Sequence, residues 1–142
     1  MSLSPTSGPE GELTAAEPRR GLAIMVWSCG PGQAEQAATP FVVAQAAVAL
    51  ELEVEMLFSA RAVHWLQASE QDTPIGFGHG RRPVSFYLGD CARLGVRMRA
   101  CSQALAALGL TDADLAPACR GAGGTLAFVE RTRDPGWGSL VF

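Results

Sequence analysis

No stretch of this 142-residue sequence is long and apolar enough to span a bilayer: the longest strongly apolar run, Phe41 to Leu50, contains Gln45, and a spanning helix needs about 20 such residues. A basic excess is missing as well. A formal net charge of -3 and a pI near 5.3 supply no general attraction to phosphate backbones or anionic lipid, so neither nucleic acid nor a membrane is expected as a partner. Met1 to Arg20 is rich in Ser, Pro, Gly and Glu and lacks the continuous apolar core of a secretory signal. A disordered tail over 1–20, a cytoplasmic address and one α/β domain over 21–142 are expected. The four cysteines, Cys29, Cys91, Cys101 and Cys119, form no C-x-x-C, and neither histidine is spaced like a zinc ligand. No metal and no cofactor are therefore expected, and in a reducing compartment the cysteines are thiols. The loop after the first apolar run holds few hydroxyls, only Ser28 and Thr39, which argues against a flavodoxin-type site wrapped around an FMN phosphate. No internal repeat is evident.

What is present is an alternation of strand and helix signals. Gly21 to Ser28 is apolar on both alternating faces, as a covered parallel strand requires. Cys29-Gly30-Pro31-Gly32 breaks it, and a long apolar helix runs to about Glu51. Its start is open: Thr39-Pro40 reads as an N-cap followed by proline at the first helical position, or Pro40 sits inside the first turns of a helix begun near Glu35. Val54 to Ser59 is the second strand, and Ser59 can cap a helix over Ala60 to Gln67. Ser69 to Pro83, with Gly76, Gly78 and Gly80, reads as a long mobile loop. Pro83 opens a helix to about Leu94, Val96 to Ala100 is the third strand, and Cys101 to Gly109 is a short helix closed by glycine. A capped turn at Thr111 to Leu115, a short fourth strand at Cys119 to Ala122, a helix at Thr125 to Arg133 and a fifth strand at Ser139 to Phe142 complete the chain. This order predicts a three-layer α/β/α sandwich around a five-stranded, mainly parallel sheet.

In such sheets ligands and reactive groups gather beyond the carboxyl ends of the strands. Cys29 and Cys101 both fall there, and Cys101 also opens a helix, where unpaired N–H groups and the helix dipole favour a thiolate. Ser102 beside it is a potential hydrogen-bond donor. Position alone leaves a second reading, in which Cys101 is a small buried hydrophobe between strand and helix. Cys29 stands on an irregular loop, and Cys91 and Cys119 read as structural. The run Arg120-Gly121-Ala122-Gly123-Gly124-Thr125 precedes a helix and suits a phosphate, although it matches neither the P-loop nor the dinucleotide fingerprint. His79 approaches Cys101 if its loop folds over the site, and Arg81 and Arg82 favour a thiolate or an anionic substrate. His64 reads as a packing residue.

Several segments resemble the DsrE/DsrF-like family, which includes the TusD-type sulfur-relay subunits. They are Leu22 to Trp27, Phe41-Val42-Val43-Ala44-Gln45-Ala46, Gly95 to Leu105 with Gly109-Leu110 after it, and Leu140-Val141-Phe142. The resemblance covers most of Gly21 to Phe142 and is most specific around Cys101. It implies a five-stranded parallel sheet between helices and assembly into homotrimers or hexamers. It further implies that Cys101 accepts sulfane sulfur as a persulfide from a protein donor and passes it to an acceptor thiol, without metal or cofactor. Cys29 and the Ser69 to Pro83 loop have no counterpart in that pattern. Two other functions fit the residues. One is a small-anion or nucleotide-binding module using Gly121, Gly123, Gly124, Arg81 and Arg82; the other is a structural oligomer subunit with no thiol chemistry.

Overall fold

A computed structural model describes residues 18–142; the tail expected over 1–20 lies outside the described residues, apart from its last three positions. In chain order the elements are β1 (Gly21–Val26), α1 (Thr39–Ala49), β2 (Glu53–Phe58), β3 (Pro74–Ile75), β4 (Arg82–Pro83), α2 (Val84–Arg93), β5 (Arg97–Ala100), α3 (Ser102–Leu108), α4 (Thr125–Arg133) and β6 (Trp137–Val141), with short 3-10 turns between some of them. Four strands form one parallel sheet in the order β5-β2-β1-β6, and β3 and β4 make a separate antiparallel pair. The architecture is the expected α/β sandwich. No helix among the described residues is long and apolar enough to cross a membrane.

The two faces of the sheet differ sharply, because successive strand residues point to opposite sides. Ile24, Val26, Val54, Met56, Phe58 and Met98 share one face and are all buried. There Phe41 of α1 packs with its ring centroid 5.6 Å from Phe58 and 6.3 Å from Tyr87 of α2. The other face sets Glu55 and Leu57 of β2 beside Arg97 and Arg99 of β5. It is covered by α4, none of whose residues is buried.

An apolar stripe usually fixes a helix on a sheet; α4 offers Phe128 to the core and is held by charge as well. Arg131 donates to both carboxylate oxygens of Glu55, at 3.0 and 2.8 Å, a bidentate geometry stronger than a single neutral hydrogen bond. Its guanidinium also lies 4.0 Å from the centroid of the Trp137 ring. Arg97 joins the group by pairing with Glu53 at 2.9 Å and with Glu55.

Three expectations require correction. The sheet has four strands rather than five: Pro117–Cys119 is a 3-10 turn, and Cys119 to Ala122 adds no strand. The Arg99 side chain lies along the free edge of β5, its Nη1 donating to the Met98 and Ala118 carbonyls at 2.8 and 3.4 Å. A fifth strand would need that edge. Ala60–Leu66 is a 3-10 helix rather than an α-helix. The buried residues Ala62, Val63, Trp65 and Leu66 recur at a spacing of three, which matches the turn of a 3-10 helix. The segment expected as a mobile loop holds 3-10 turns and the β3–β4 pair, anchored by the fully buried Ile75. At the start of α1, Pro40 lies in the first turn with Ala38 as N-cap, where its missing N–H costs no helical bond.

Candidate functional site

Strand β5 delivers Cys101 to the start of α3 within one residue. The Cys101 N–H donates to the Phe58 carbonyl at 2.8 Å, extending the ladder with β2, while its carbonyl accepts from the Leu105 N–H at 3.0 Å, opening the helix. With backbone angles of φ -65° and ψ 127°, Cys101 is the N-cap residue. At the far end Gly109 adopts φ +69°, a conformation that favours glycine and stops the helix.

The sulfur is covered: the residue is only 3% exposed, the same as Cys29. Burial pushes its thiol up. Hydrogen bonds from the Ala104 and Gln103 backbone and from the Thr125 and Ser59 side chains pull it down, and they prevail, so the Cys101 thiol lies below its ordinary value of 9.0. The other cysteines go the opposite way. Burial raises Cys29 despite its hydrogen-bond partners, pushes Cys91 up to about 11, and pushes Cys119 up to about 12 against a small opposing effect of Arg99. Because the thiolate is the nucleophile, Cys101 is set apart by hydrogen bonding, not by exposure.

Some of the residues expected at the site meet there and others do not. Ser102 is exposed and donates its backbone N–H to the Gly123 carbonyl at 3.1 Å, tying α3 to the glycine segment. The groups that lower the Cys101 thiol are those of Ala104, Gln103, Thr125 and Ser59, and Ser102 is not among them. Gly123 and Gly124 line a pocket of about 220 Å³ between α4 and the sheet, together with Glu55, Leu57, Arg97 and Arg99. A Cβ on Gly123 would stand 2.8 Å from the Ala100 carbonyl oxygen, so only glycine fits beside the strand that carries Cys101. Gly121 donates its N–H to Asp112 at 2.9 Å. The arginines near these glycines are thus Arg97 and Arg99. His79, Arg81 and Arg82 are exposed on the β3–β4 segment, with no hydrogen bond to Cys101 among the described residues. That segment is tied to the β1–α1 loop by the Gly76 N–H donating to the Ala34 carbonyl at 2.9 Å. Cys29 is buried on this loop, and its carbonyl accepts from Trp65 Nε1 at 2.9 Å.

Two members of the sulfur's environment escaped the sequence reading in that role. Ser59 and Thr125 read as helix-terminal residues, and both do flank helices, but they are also among the groups that lower the Cys101 thiol. The available signal was topological. β2 neighbours β5, so the residue after β2 stands beside the residue after β5. Ala60, next to Ser59, holds φ +50°, a left-handed conformation costly for a residue with a Cβ.

Among the described residues no group of His, Cys, Asp and Glu is arranged to hold a metal ion. No curated protein matches the chain. Among solved structures, the ychN protein of E. coli is similar with a TM-score of 0.63 and 16% identity, over 87% of this chain and 99% of that one. A protein of unknown function from Methanobacterium thermoautotrophicum, MTH1491, is similar with a TM-score of 0.59 and 16% identity, over 89% of this chain and 100% of that one. At that identity both speak to the fold. The DsrE/DsrF-like family model matches residues 23–129, a span that holds most of β1, all of β2 and β5, and the Cys101 turn. The chain therefore belongs to the DsrE/DsrF-like family, which is associated with sulfur relay.

Proposed function

We propose that the protein is a sulfur carrier that holds sulfane sulfur as a persulfide on Cys101. The observation that carries this reading is the hydrogen-bond set that lowers the Cys101 thiol while burial raises the other three. The Cys101 thiolate attacks the terminal sulfur of a donor persulfide, R–S–SH. A Cys101 S–S bond forms, the donor S–S bond breaks, and the donor thiolate leaves with the electron pair. The terminal proton stays with the transferred sulfur or passes to the departing thiolate, and no external oxidant or reductant is consumed. An acceptor thiolate then attacks that terminal sulfur and restores Cys101. Cys101 is only 3% exposed, so both steps need its cover to move aside. Donor and acceptor are taken to be cysteine proteins, and no metal or cofactor is invoked.

Family members are typically oligomeric, and we take this protein to be a homotrimer or hexamer. Leu126 and Val129 on α4, with Leu140 and Val141 on β6, are exposed apolar residues suited to contact between copies. The test of the carrier reading is polysulfide treatment followed by peptide mass spectrometry. One added sulfur atom on the Cys101 peptide, absent from Cys101→Ser, is the expected result. Equal loading of the wild type and Cys101→Ser overturns it. The alternative small-anion module is supported by the pocket beside Gly123, Gly124, Arg97 and Arg99. It predicts thermal stabilisation by inorganic phosphate that persists in Cys101→Ser.

A further inference from the structure

The sheet order β5-β2-β1-β6 reverses between β1 and β6: from β1 the chain moves outward through β2 to β5, then returns to the other side of β1. In open parallel sheets the crevice beyond the carboxyl ends at such a reversal is the place where small ligands bind. A pocket of about 450 Å³ opens there, about twice the volume of the one under α4 and within the range of small-molecule sites. Its walls come from the β1–α1 loop, the first turn of α1, Phe77 and Phe142. It lies away from the hydrogen-bonded group around Cys101.

The pocket is assembled by specific backbone contacts. Phe142 is fixed beside it: its N–H donates to the Met25 carbonyl at 2.8 Å, and its carbonyl accepts from the Trp27 N–H at 2.9 Å. Phe77 follows Gly76, which holds φ +115°, a left-handed value that glycine tolerates. Two residues before Phe77, Ile75 is fully buried. An anchored segment therefore presents Phe77, which is itself 81% exposed. Holding a large aromatic in water gains nothing for folding; holding it at the mouth of a pocket provides a stacking surface.

The lining also sets the ligand's charge. Ser28 and Thr39 bring hydroxyls, Gln36 a carboxamide, and Glu35 the one acidic side chain; no arginine is among the lining residues. Cys29 contributes a thiol whose titration burial raises. A phosphate or carboxylate would meet Glu35 with no cation to offset it. We infer that this crevice is a second binding site, separate from Cys101, for a planar heteroaromatic compound of neutral or positive charge, of the nucleoside class and without phosphate. The ring stacks on Phe77, and its amino and hydroxyl groups bond to Gln36, Thr39 and Glu35.

The experiment is titration of the isotope-labelled full chain with adenosine, guanosine and AMP, followed by amide NMR shifts. Stacking of one base on an aromatic side chain typically accounts for roughly a tenfold change in Kd or more. Expected are saturable shifts at Ser28, Gln36, Thr39 and Phe142 with a nucleoside, weaker binding of AMP, and a Kd raised about tenfold in Phe77→Ala. The alkylation rate of Cys101 should be unchanged in that variant. Overturning results are an absence of saturable shifts with either nucleoside, AMP binding as tightly as adenosine, or equal affinity of Phe77→Ala. A change in sedimentation of Phe77→Ala without any ligand shift also overturns the inference, since the crevice is then a contact between copies.

Discussion

Replacing Arg131 with methionine keeps an apolar stem near Trp137 and removes both bonds to Glu55. Charge-assisted hydrogen bonds contribute about 1.5–3 kcal/mol when well buried, and exposed ion pairs less than about 1 kcal/mol. The Arg131 and Glu55 side chains are 33% and 26% exposed, between those limits, so a loss of about 1–2 kcal/mol is expected. For a domain of this size that lowers Tm by roughly 4–8 °C. Because none of the residues of α4 is buried, much of the loss should appear as local opening of this short helix as a unit, starting from the end that Arg131 holds. Opened wild type and opened variant expose the same Cys101, so only the open population differs. A change of 1–2 kcal/mol then speeds Cys101 alkylation by roughly 5- to 30-fold. Glu55 supplies a pH check. Hydrogen bonding from Arg131, stronger than the opposing effect of burial, holds its carboxyl below the ordinary 4.5. A depressed folded-state value stabilises fully above the unfolded value and is lost as pH falls through the folded one. Arg131→Met should therefore lose less stability than wild type on acidification below about pH 4.5. The assay is iodoacetamide labelling at neutral pH with site-resolved mass spectrometry, beside a thermal melt. An unchanged Cys101 rate with a lowered Tm would refute the reasoning, as would Cys101 and Cys119 speeding up together, which marks global unfolding.

Thr125→Val removes one hydrogen bond to the Cys101 sulfur at nearly constant volume. The midpoint of the Cys101 alkylation profile should move upward and the neutral-pH rate fall severalfold, with unfolding free energy within about 1 kcal/mol of wild type; an unmoved midpoint removes Thr125 from the site. Ala60→Gly relieves the left-handed residue beside Ser59. Urea unfolding should show it neutral or more stable by up to about 1 kcal/mol, whereas a clear loss would mean that the alanine methyl packs usefully. Trp65→Phe leaves the Cys29 carbonyl without its buried indole donor and should cost about 1–3 kcal/mol in the same measurement.

Much of the fold was legible because it rests on local patterns. The strand runs are bounded by turn residues, Gly109 closes α3, and Pro83 opens α2, each a choice made within a few residues. What went astray depends on tertiary partners. Cys119 to Ala122 carries one weak local mark against a strand, Gly121, which holds φ +124°; the Arg99 side chain, distant in sequence, also lies along the edge where that strand would pair. The helical content of Ala60–Leu66 was readable, but its 3-10 form follows from what it buries. At the site the helix-opening position of Cys101 was visible in sequence, while Ser59 and Thr125 were visible only as helix-terminal residues. Their meeting depends on strand order and on the charged fixing of α4, and neither has a short-range signature. The glycines of 121–124 were read as a phosphate cradle. Gly123 is required in any case by its close approach to β5.

The central claim is that hydrogen bonding, rather than exposure, makes Cys101 the anionic thiol of this protein. The most direct measurement is the pH dependence of alkylation at each cysteine in the native chain. Cys101 is predicted to react first, with a midpoint below 9.0, while Cys91 and Cys119 stay protected until near 11 and 12. A Cys101 midpoint at or above 9.0, or labelling of Cys29 ahead of it, would contradict the account.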